Sequence, residues 1–237
     1  MRVLEVWRYP VKSLQGERVE SVEIGPQGLE GDRAHALFDV ETGFGLTARR
    51  QPQLLFASAR LREDGSAEII LPDGSVAADD EALSAWLGRS VVLRSTEEVR
   101  DRRYENPVDF EEESGTWEPF SGSSGAFHDS GRANVSLLST ATIGGWEPRR
   151  FRSNLLLDGE GEDELVGSRV RLGDAELDVG KRIDRCVMVT RPQPGGIDRD
   201  LDVLRTIHRQ RGGDLAVGAV VVRPGKVSVA DELLPAS

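Results

Sequence analysis

Cysteine is nearly absent from this sequence: Cys186 is the only one among 237 residues. A single thiol excludes an internal disulfide and a cysteine cluster for an iron–sulfur centre. The sequence also lacks a GxGxxG or GxxxxGK loop, the usual signature of a nucleotide site. No apolar window approaches the length of a membrane span, and the N-terminus has no apolar signal-peptide region. We therefore expect a protein of the reducing cytoplasm, with no membrane partner.

Acidic residues exceed basic ones: the chain has 41 Asp and Glu and 30 Lys and Arg, which give a formal net charge of −11. A nucleic-acid or anionic-membrane surface needs a broad basic face, so the charge argues against both kinds of partner. It leaves room for a small basic pocket that binds an anionic ligand. Hydrophobic residues at 38% and charged residues at 30% are typical of a soluble globular protein, and the length suits one large domain or two small ones.

Short apolar or alternating runs recur with turn residues between them, which predicts a mainly β fold of barrels or sandwiches. Helical periodicity is scarce and predicts a few short helices at Asp80–Leu87, Thr140–Trp146 and Asp200–Arg209. The predicted strands are Val3–Trp7, Arg18–Ile24, His35–Asp39, Leu54–Leu61, Ala67–Leu71, Val91–Arg94, Val135–Leu138, Leu155–Leu157, Arg169–Leu172, Glu176–Val179, Arg185–Thr190, Leu215–Val222 and Lys226–Val229.

A change of composition divides the chain near its middle. Residues 96–131 are acidic and rich in Ser and Gly, and they include the run Asp109–Glu113. Trp117, Phe120 and Phe127 give this segment side chains to bury, so we expect a partly ordered loop. The predicted organisation is an N-terminal module at 1–95, an acidic connecting loop at 96–131 and a second domain at 132–237.

Two polar motifs in the N-terminal half could bind an anion. Tyr9–Ser13 (YPVKS) places the ammonium of Lys12 and the hydroxyl of Ser13 directly after a predicted strand, and both groups suit a phosphate. Gly28–Arg33 (GLEGDR) combines a tight turn with Arg33, whose guanidinium can bind an anion through two parallel hydrogen bonds. Each motif alone is also typical of an ordinary polar turn.

Two further motifs carry arginine. Thr47–Gln51 (TARRQ) is a basic cluster that contains Arg49, and a solvated turn is a reasonable interpretation of it. Phe151–Asn154 (FRSN) alternates Arg152 with Asn154, so both side chains share a face if the segment is extended. They would then point together, either at a ligand or at solvent.

The run Lys181–Thr190 (KRIDRCVMVT) places Cys186 in a predicted strand, next to Arg185. Most free cysteines are buried and behave as small hydrophobic residues, which is the interpretation that the local sequence favours. The alternative is a reactive thiolate or a one-sulfur metal ligand. A cationic neighbour such as Arg185 would favour the ionised thiol.

In this order, YPVKS, GLEGDR, TARRQ, FRSN and a lone cysteine after arginine resemble the MOSC family, named after the C-terminal domain of molybdenum cofactor sulfurase. The resemblance spans nearly the whole chain and is strongest to proteins similar to the mitochondrial amidoxime-reducing component and its bacterial relatives. It implies a MOSC β-barrel domain packed on a smaller N-terminal β-barrel module. The sequence departs from the family at Ser153, where relatives usually carry Pro, and at Arg50, where Gln is usual. The segment at 158–166 is also shorter, and we expect no iron–sulfur domain of the kind that some bacterial relatives add.

The resemblance implies that Cys186 is the protein ligand to molybdenum in a molybdenum cofactor (Mo-molybdopterin), whose dithiolene supplies the other sulfurs. It implies a role near the metal for Asp129 in Phe127–Asp129 (FHD), and a cofactor lying between the two modules. His35, His128 and His208 are candidate proton donors by residue type and are structural or surface residues by default. The expected cofactor-binding residues are Lys12, Ser13, Arg33, Arg49, Arg152, Asn154 and Arg185.

The implied activity is a molybdenum-dependent reduction of small N-hydroxylated or N-oxygenated compounds, with the oxygen released as water. Because the sequence carries no iron–sulfur ligands and no flavin or nicotinamide loop, we expect a separate electron-donor protein, a flavin reductase with an iron–sulfur or haem carrier. Two other functions stay open. One is a non-catalytic carrier of the molybdenum cofactor or of sulfur; the other is a metal-free enzyme with Cys186 as nucleophile, for which no Cys/His/Asp relay is visible.

Overall fold

The computed structural model describes residues 1–108 and 115–236, and the fold is mainly β as predicted. The strands of the described residues are β1 Val3–Arg8, β2 Glu17–Val19, β3 Ser21–Gly25, β4 Gly28–Leu29, β5 His35–Asp39, β6 Ser58–Leu61, β7 Ala67–Ile70, β8 Val91–Ser95, β9 Arg103–Pro107, β10 Trp117–Ser121, β11 Val135–Ser139, β12 Leu155–Leu157, β13 Arg169–Leu172, β14 Ala175–Asp184, β15 Asp214–Arg223, β16 Gly225–Ser228 and β17 Leu233–Pro235.

Helices are few and short. Within the described residues they are α1 Asp80–Leu87, α2 Thr140–Ile143 and α3 Leu201–Arg211, with 3-10 turns at Pro52–Phe56, Pro148–Phe151, Glu162–Leu165 and Val187–Thr190. Helix α1 begins where the Asp79 carboxylate accepts a hydrogen bond from the Ala82 amide at 2.9 Å and ends at Gly88 in the left-handed conformation. Among the residues described, none of the helices combines the length and apolar character needed to cross a bilayer.

The chain forms two compact units that are interleaved in sequence. Unit 1 comprises residues 1–8, 17–32 and 131–237, and unit 2 comprises residues 9–16 and 33–130. The predicted modules are consecutive along the chain, whereas here the N-terminal strand β1 belongs with the C-terminal half. The physical reason is strand pairing: β1 pairs antiparallel with β12, with Val6 opposite Leu155, and with β2 on its other side.

Unit 1 is built on an eight-stranded sheet in the order β17-β13-β14-β15-β11-β12-β1-β2. Its strands show the alternation that buries one face, as in β13, where Val170 and Leu172 are buried and Arg169 and Arg171 are exposed. The register of β14 with β15 shifts three times, the last shift lying between Arg182 and Asp184. Such irregularities bend a strand and end its pairing, and this one lies just before Cys186.

A second apolar cluster of unit 1 holds the segment that follows Cys186. Val189 packs with Phe151 and with Val203 and Ile207 on the inner face of α3, and all four side chains are buried. Helix α3 begins at its cap Asp200 and ends at Gly212 in the left-handed conformation. The cluster therefore ties the 3-10 turns at 148–151 and 187–190 to one helix.

Unit 2 consists of three two-stranded antiparallel sheets, β5-β8, β6-β7 and β9-β10, together with α1. Its aromatic core includes Phe38, Tyr104 and Phe127, with the Phe38 and Phe127 ring centroids 5.8 Å apart. The expectation that Phe127 gives the 96–131 segment something to bury is confirmed, since it is 1% exposed. The acidic run Asp109–Glu113 lies outside the described residues.

Two predicted strands were wrong in part or in full, and one hairpin was missed. Residues 54–56 of the predicted strand Leu54–Leu61 belong to the 3-10 turn Pro52–Phe56, which Pro52 initiates because its fixed φ suits the first turn of a helix. The strand predicted at Arg185–Thr190 is a two-residue connection followed by a 3-10 turn. The hairpin of β9 and β10 was not predicted, because polar residues and Pro119 interrupt its alternation.

Candidate functional site

Cys186 lies outside the strand, in the two-residue connection between β14 and a 3-10 turn. It follows the end of β14, has an extended backbone (φ −116°, ψ 178°) and immediately precedes the 3-10 turn Val187–Thr190. The side chain is only partly buried, and the amide of Val189 donates to the Cys186 carbonyl at 3.2 Å. The local sequence favoured a buried cysteine, whereas Cys186 has intermediate exposure.

Arg185 fixes the backbone next to this thiol. Its Nε donates to the Leu215 carbonyl at 2.7 Å, and Nη1 donates to the Phe151 carbonyl at 2.9 Å. The guanidinium also lies 5.6 Å from the ring centroid of Phe151. These contacts give the Arg185 side chain a structural function between β15 and the FRSN motif. Its expected roles at the thiolate and the cofactor stay predictions.

The FRSN motif is not extended. Arg152 has φ 52° and ψ 36°, the left-handed conformation, so the alternation that would place Arg152 and Asn154 on one face is interrupted. A non-glycine residue in this region costs conformational energy and is held there by its surroundings. Arg152 and Asn154 were predicted to share a face only if the segment is extended, and this condition is not met. Arg152 is partly exposed.

Asn154 is a structural residue of the unit 1 sheet. It is 2% exposed, and its Oδ1 accepts from the Ser136 amide at 3.2 Å and from the Ser136 hydroxyl at 3.0 Å. Its Nδ2 donates to the Trp7 carbonyl at 3.3 Å. The Asn154 side-chain amide thus joins β11 to β1. Its expected contact with a cofactor stays a prediction.

In unit 2, Lys12 is a fixed and almost fully buried cation. It is 7% exposed, and its Nζ donates to the Phe127 carbonyl at 3.1 Å and lies 5.2 Å from the ring centroid of Tyr104. Its ammonium also pairs with the Asp129 carboxylate. Two sequence-predicted site residues, Lys12 and Asp129, are therefore brought together within one unit.

Two other predicted site residues of unit 2, Ser13 and Arg33, connect the YPVKS motif to neighbouring segments. The Ser13 hydroxyl accepts from the Ala48 amide at 3.0 Å and so joins YPVKS to TARRQ. The Arg33 amide donates to the Tyr9 carbonyl at 2.7 Å, and its guanidinium lies 4.9 Å from the Tyr9 ring centroid. Ser13 and Arg33 both have the left-handed backbone (φ 71° and 51°).

Arg49 lies in the same unit and contacts a different element. Its Nη1 donates to Asn106 Oδ1 of β9 at 3.4 Å. The neighbouring Arg50 lies 4.5 Å from the Trp117 ring centroid and 3.5 Å from the Glu105 carboxylate. TARRQ therefore supports the β9-β10 hairpin with both arginines.

Burial changes the pKa of two side chains near Lys12. Desolvation lowers the pKa of His35 below its ordinary value, and the Pro10 carbonyl and the Glu98 carboxylate oppose this shift without reversing it. Desolvation raises the pKa of Tyr104, against the effect of the nearby Arg102 guanidinium. The Tyr104 hydroxyl has no hydrogen-bond partner within residues 1–108 and 115–236. Both groups are therefore neutral at pH 7.

Two arginines of the Pro148–Phe151 turn were missed by the sequence analysis. Arg150 is 8% exposed and donates three hydrogen bonds to main-chain carbonyls after Cys186. Arg149 donates from Nη1 to the Pro194 carbonyl at 3.1 Å. The sequence does not indicate whether two adjacent arginines in a turn are buried and bound to main-chain carbonyls or are exposed to solvent.

The described residues contain no group of three or more His, Cys, Asp and Glu side chains that could hold a metal ion. The predicted site residues fall into two sets, each within one unit. Lys12, Ser13, Arg33, Arg49 and Asp129 belong to unit 2, and Arg152, Asn154, Arg185 and Cys186 belong to unit 1.

Comparison with known proteins agrees with the family resemblance. The model of the MOSC N-terminal beta barrel domain matches residues 1–98, and that of the MOSC domain matches residues 126–234. A molybdenum cofactor sulfurase from Drosophila grimshawi is 25% identical over 94% of this chain and 32% of its own length. The chain thus spans about a third of the length of that curated relative.

Among solved structures, the YuaD protein from Bacillus subtilis aligns with 98% of this chain and 93% of its own, at 12% identity and a TM-score of 0.45. YiiM from Geobacillus stearothermophilus aligns with 58% of this chain and 72% of its own, at 14% identity and a TM-score of 0.37. Since the two family models cover residues 1–98 and 126–234 in the order that the sequence motifs predicted, this chain belongs to the MOSC family.

Proposed function

We propose that this chain binds a molybdenum cofactor with Cys186 as the protein ligand, and that it reduces N-hydroxylated or N-oxygenated small molecules. The placement of Cys186 supports the proposal most directly. Cys186 has intermediate exposure and follows Arg185, whose side chain is anchored on the Leu215 and Phe151 carbonyls. Thiolate is a soft ligand that suits such a metal, and metal binding deprotonates a thiol.

The residues present fit a cofactor that carries an anionic group. Lys12 is a buried ammonium whose position is fixed by the Phe127 carbonyl, so it offers a positive charge without first having to be ordered. When bound, the cofactor supplies the redox chemistry, in which oxygen leaves the substrate as water with two electrons and two protons. The protein's part is to hold the cofactor, to ligate the metal through one sulfur and to leave space for a substrate.

The test uses the full chain produced in a host that makes the molybdenum cofactor. We expect molybdenum to co-purify, as measured by mass spectrometry, and benzamidoxime to be reduced with an artificial electron donor. The Cys186→Ala variant should lose both the metal and the turnover. Protein that folds normally and contains no molybdenum would overturn the proposal.

A carrier of the cofactor is a second candidate, favoured by the likeness to a protein named molybdenum cofactor sulfurase. Bound molybdenum does not separate a carrier from an enzyme, because both retain the cofactor. Turnover does: protein with molybdenum that reduces neither benzamidoxime nor an N-hydroxylated purine, yet transfers its cofactor to an apoenzyme, would be a carrier.

A further inference from the structure

Arg150 is the most buried arginine next to the Cys186 turn in unit 1. Its Nη1 lies 3.2 Å from the Val189 carbonyl and 3.4 Å from the Arg191 carbonyl, and its Nη2 donates to the Asp198 carbonyl at 2.7 Å. All three acceptors lie within twelve residues after Cys186. One guanidinium therefore binds the backbone near both the start and the end of the loop at 187–198.

A second connection runs in the opposite direction. Arg185, just before Cys186, donates to the carbonyl of Phe151, just after Arg150. The two arginines thus join the segments 150–151 and 185–198 in both directions: Arg185 binds the carbonyl next to Arg150, and Arg150 binds carbonyls between residues 189 and 198. Val189 and Phe151 pack in one apolar cluster, so the polar connections and the buried contact fix the same pair of segments.

The charge of Arg150 has no carboxylate partner among residues 1–108 and 115–236. A buried cation is unfavourable unless it is hydrogen-bonded, and Arg150 meets this requirement with main-chain carbonyls alone. An apolar side chain such as Met would avoid the buried charge but would leave these carbonyls without this donor. An arginine can fix the relative positions of several carbonyls, because its planar guanidinium carries five donors in a rigid arrangement.

We propose that Arg150 is a positioning residue that fixes the loop at 187–198 and thereby sets how the Cys186 thiol is presented. It acts through the backbone and does not touch the thiol in these contacts. The inference rests on the proposed function only for what the thiol would bind. The order of the loop and the reactivity of the thiol can both be measured in metal-free protein.

The experiment compares Arg150→Met and Arg150→Lys with the wild-type chain and with Arg205→Met, a control that removes an arginine with a 66% exposed side chain on α3. Hydrogen exchange of the amides at 187–198 and the rate of Cys186 alkylation by iodoacetamide are measured from pH 6 to pH 10 in metal-free protein. We expect Arg150→Met to accelerate both by about tenfold or more, the scale of losing one charge-assisted hydrogen bond. Arg150→Lys should recover part of the loss, and Arg205→Met should match wild type.

Exchange in the strands β11 and β15 separates loop order from global stability. If Arg150 positions the loop, these amides keep their protection while those at 187–198 lose it. Equal acceleration in the loop and in the strands, or loss of the fold in both Arg150 variants, would overturn the proposal, since Arg150 would then act on stability alone. Wild-type exchange and alkylation in Arg150→Met would overturn it as well. None of these outcomes depends on molybdenum, so the positioning role of Arg150 is tested independently of the proposed function.

Discussion

Lys12 and Asp129 form an ion pair within unit 2 whose two members are buried very unequally: the side chain of Lys12 is 8% exposed, and that of Asp129 is 93% exposed. The ammonium is held in place by the Phe127 carbonyl and the Tyr104 ring. The carboxylate can return to water at little cost, because it was hardly desolvated. Asp129 is thus a counter-ion that an incoming anion could replace, while Lys12 stays fixed.

The first prediction contrasts substitutions of these two residues. Asp129→Asn should destabilise unit 2 by only about 1 kcal/mol, because an exposed partner contributes little. Lys12→Met should destabilise unit 2 by about 1–2 kcal/mol, because the buried Phe127 carbonyl loses a donor while the exposed Asp129 stays in water. Denaturant unfolding measures both.

Retention of the cofactor should separate the same two variants. Under the proposed function, Asp129→Asn keeps or increases the molybdenum content after gel filtration, because a competing anion is removed. Lys12→Met loses most of the molybdenum. The opposite order, with Lys12→Met fully loaded, would show that the Lys12 ammonium binds no part of the cofactor.

The second prediction concerns the thiol. Cys186→Ala should leave the free energy of unfolding within about 1 kcal/mol of wild type, because the side chain is small and only partly buried. It should abolish molybdenum retention and the reduction of N-hydroxylated compounds. Full activity in this variant would exclude Cys186 as the metal ligand.

The third prediction concerns the expectation that Lys12, Arg33 and Arg152 bind one anionic cofactor. Residues that share a ligand are energetically coupled, whereas distant independent residues are additive. Single changes of each to Met should weaken cofactor retention, and the double variants should be non-additive by about 0.5 kcal/mol or more. Arg205→Met serves again as the control. Strict additivity in all pairs would contradict a shared site.

The fourth prediction follows from the lowered pKa of His35, which desolvation causes. Its pKa is lower in the folded state than in the unfolded chain, where histidine titrates near pH 6.5. Stability from the neutral imidazole is therefore complete above about pH 6.5 and is lost as the pH falls through the folded pKa. The unfolding free energy of wild type should fall more steeply from pH 7 to pH 5 than that of His35→Gln. Parallel curves would show that His35 is not linked to folding.

Much of the fold follows from periodicity in the sequence. The strands His35–Asp39, Leu155–Leu157 and Arg169–Leu172 and the helix Asp80–Leu87 have the predicted bounds. Short apolar runs mark the first two strands, alternation marks the third, and a capped 3.6-residue period marks the helix. The membership of β1 in unit 1 could not be predicted this way. It depends on pairing with β12, about 150 residues away, and local patterns do not specify long-range partners.

The candidate site was predicted by residue type rather than by geometry. Lys12 and Asp129 were both named, but nothing in their separation along the chain indicates that they pair. The run around Cys186 alternates like a strand, yet the backbone leaves β14 at Asp184 and turns, because the register with β15 has already shifted. Arg150 was missed because it binds main-chain carbonyls. Every residue has such a carbonyl, so the sequence does not indicate which ones an arginine will bind.

The fifth prediction concerns electrons. Each turnover of the proposed reaction returns two electrons to the metal, and the sequence contains no iron–sulfur ligand set and no flavin or nicotinamide loop. With NADH or NADPH alone we therefore expect negligible reduction of benzamidoxime. Adding a flavin reductase with an iron–sulfur or haem carrier should restore turnover. Robust NADH-driven reduction by the chain alone would reveal an unrecognised redox site.

The docking surface for such a carrier can be tested in the same assay. The acidic run Asp109–Glu113, which we expect to steer the carrier, lies outside the described residues, but the β9-β10 hairpin beside it is described. Phe120 is 39% exposed with its ring centroid 5.7 Å from that of Tyr104, and Trp117 lies against Arg50. Phe120→Ser should lower carrier-driven turnover several-fold and leave turnover with a small artificial donor unchanged, because only a protein partner needs an aromatic contact surface. Added salt should weaken carrier-driven turnover by screening the acidic charges. Equal rates for Phe120→Ser and wild type with the carrier, together with no dependence on salt, would place the docking surface elsewhere.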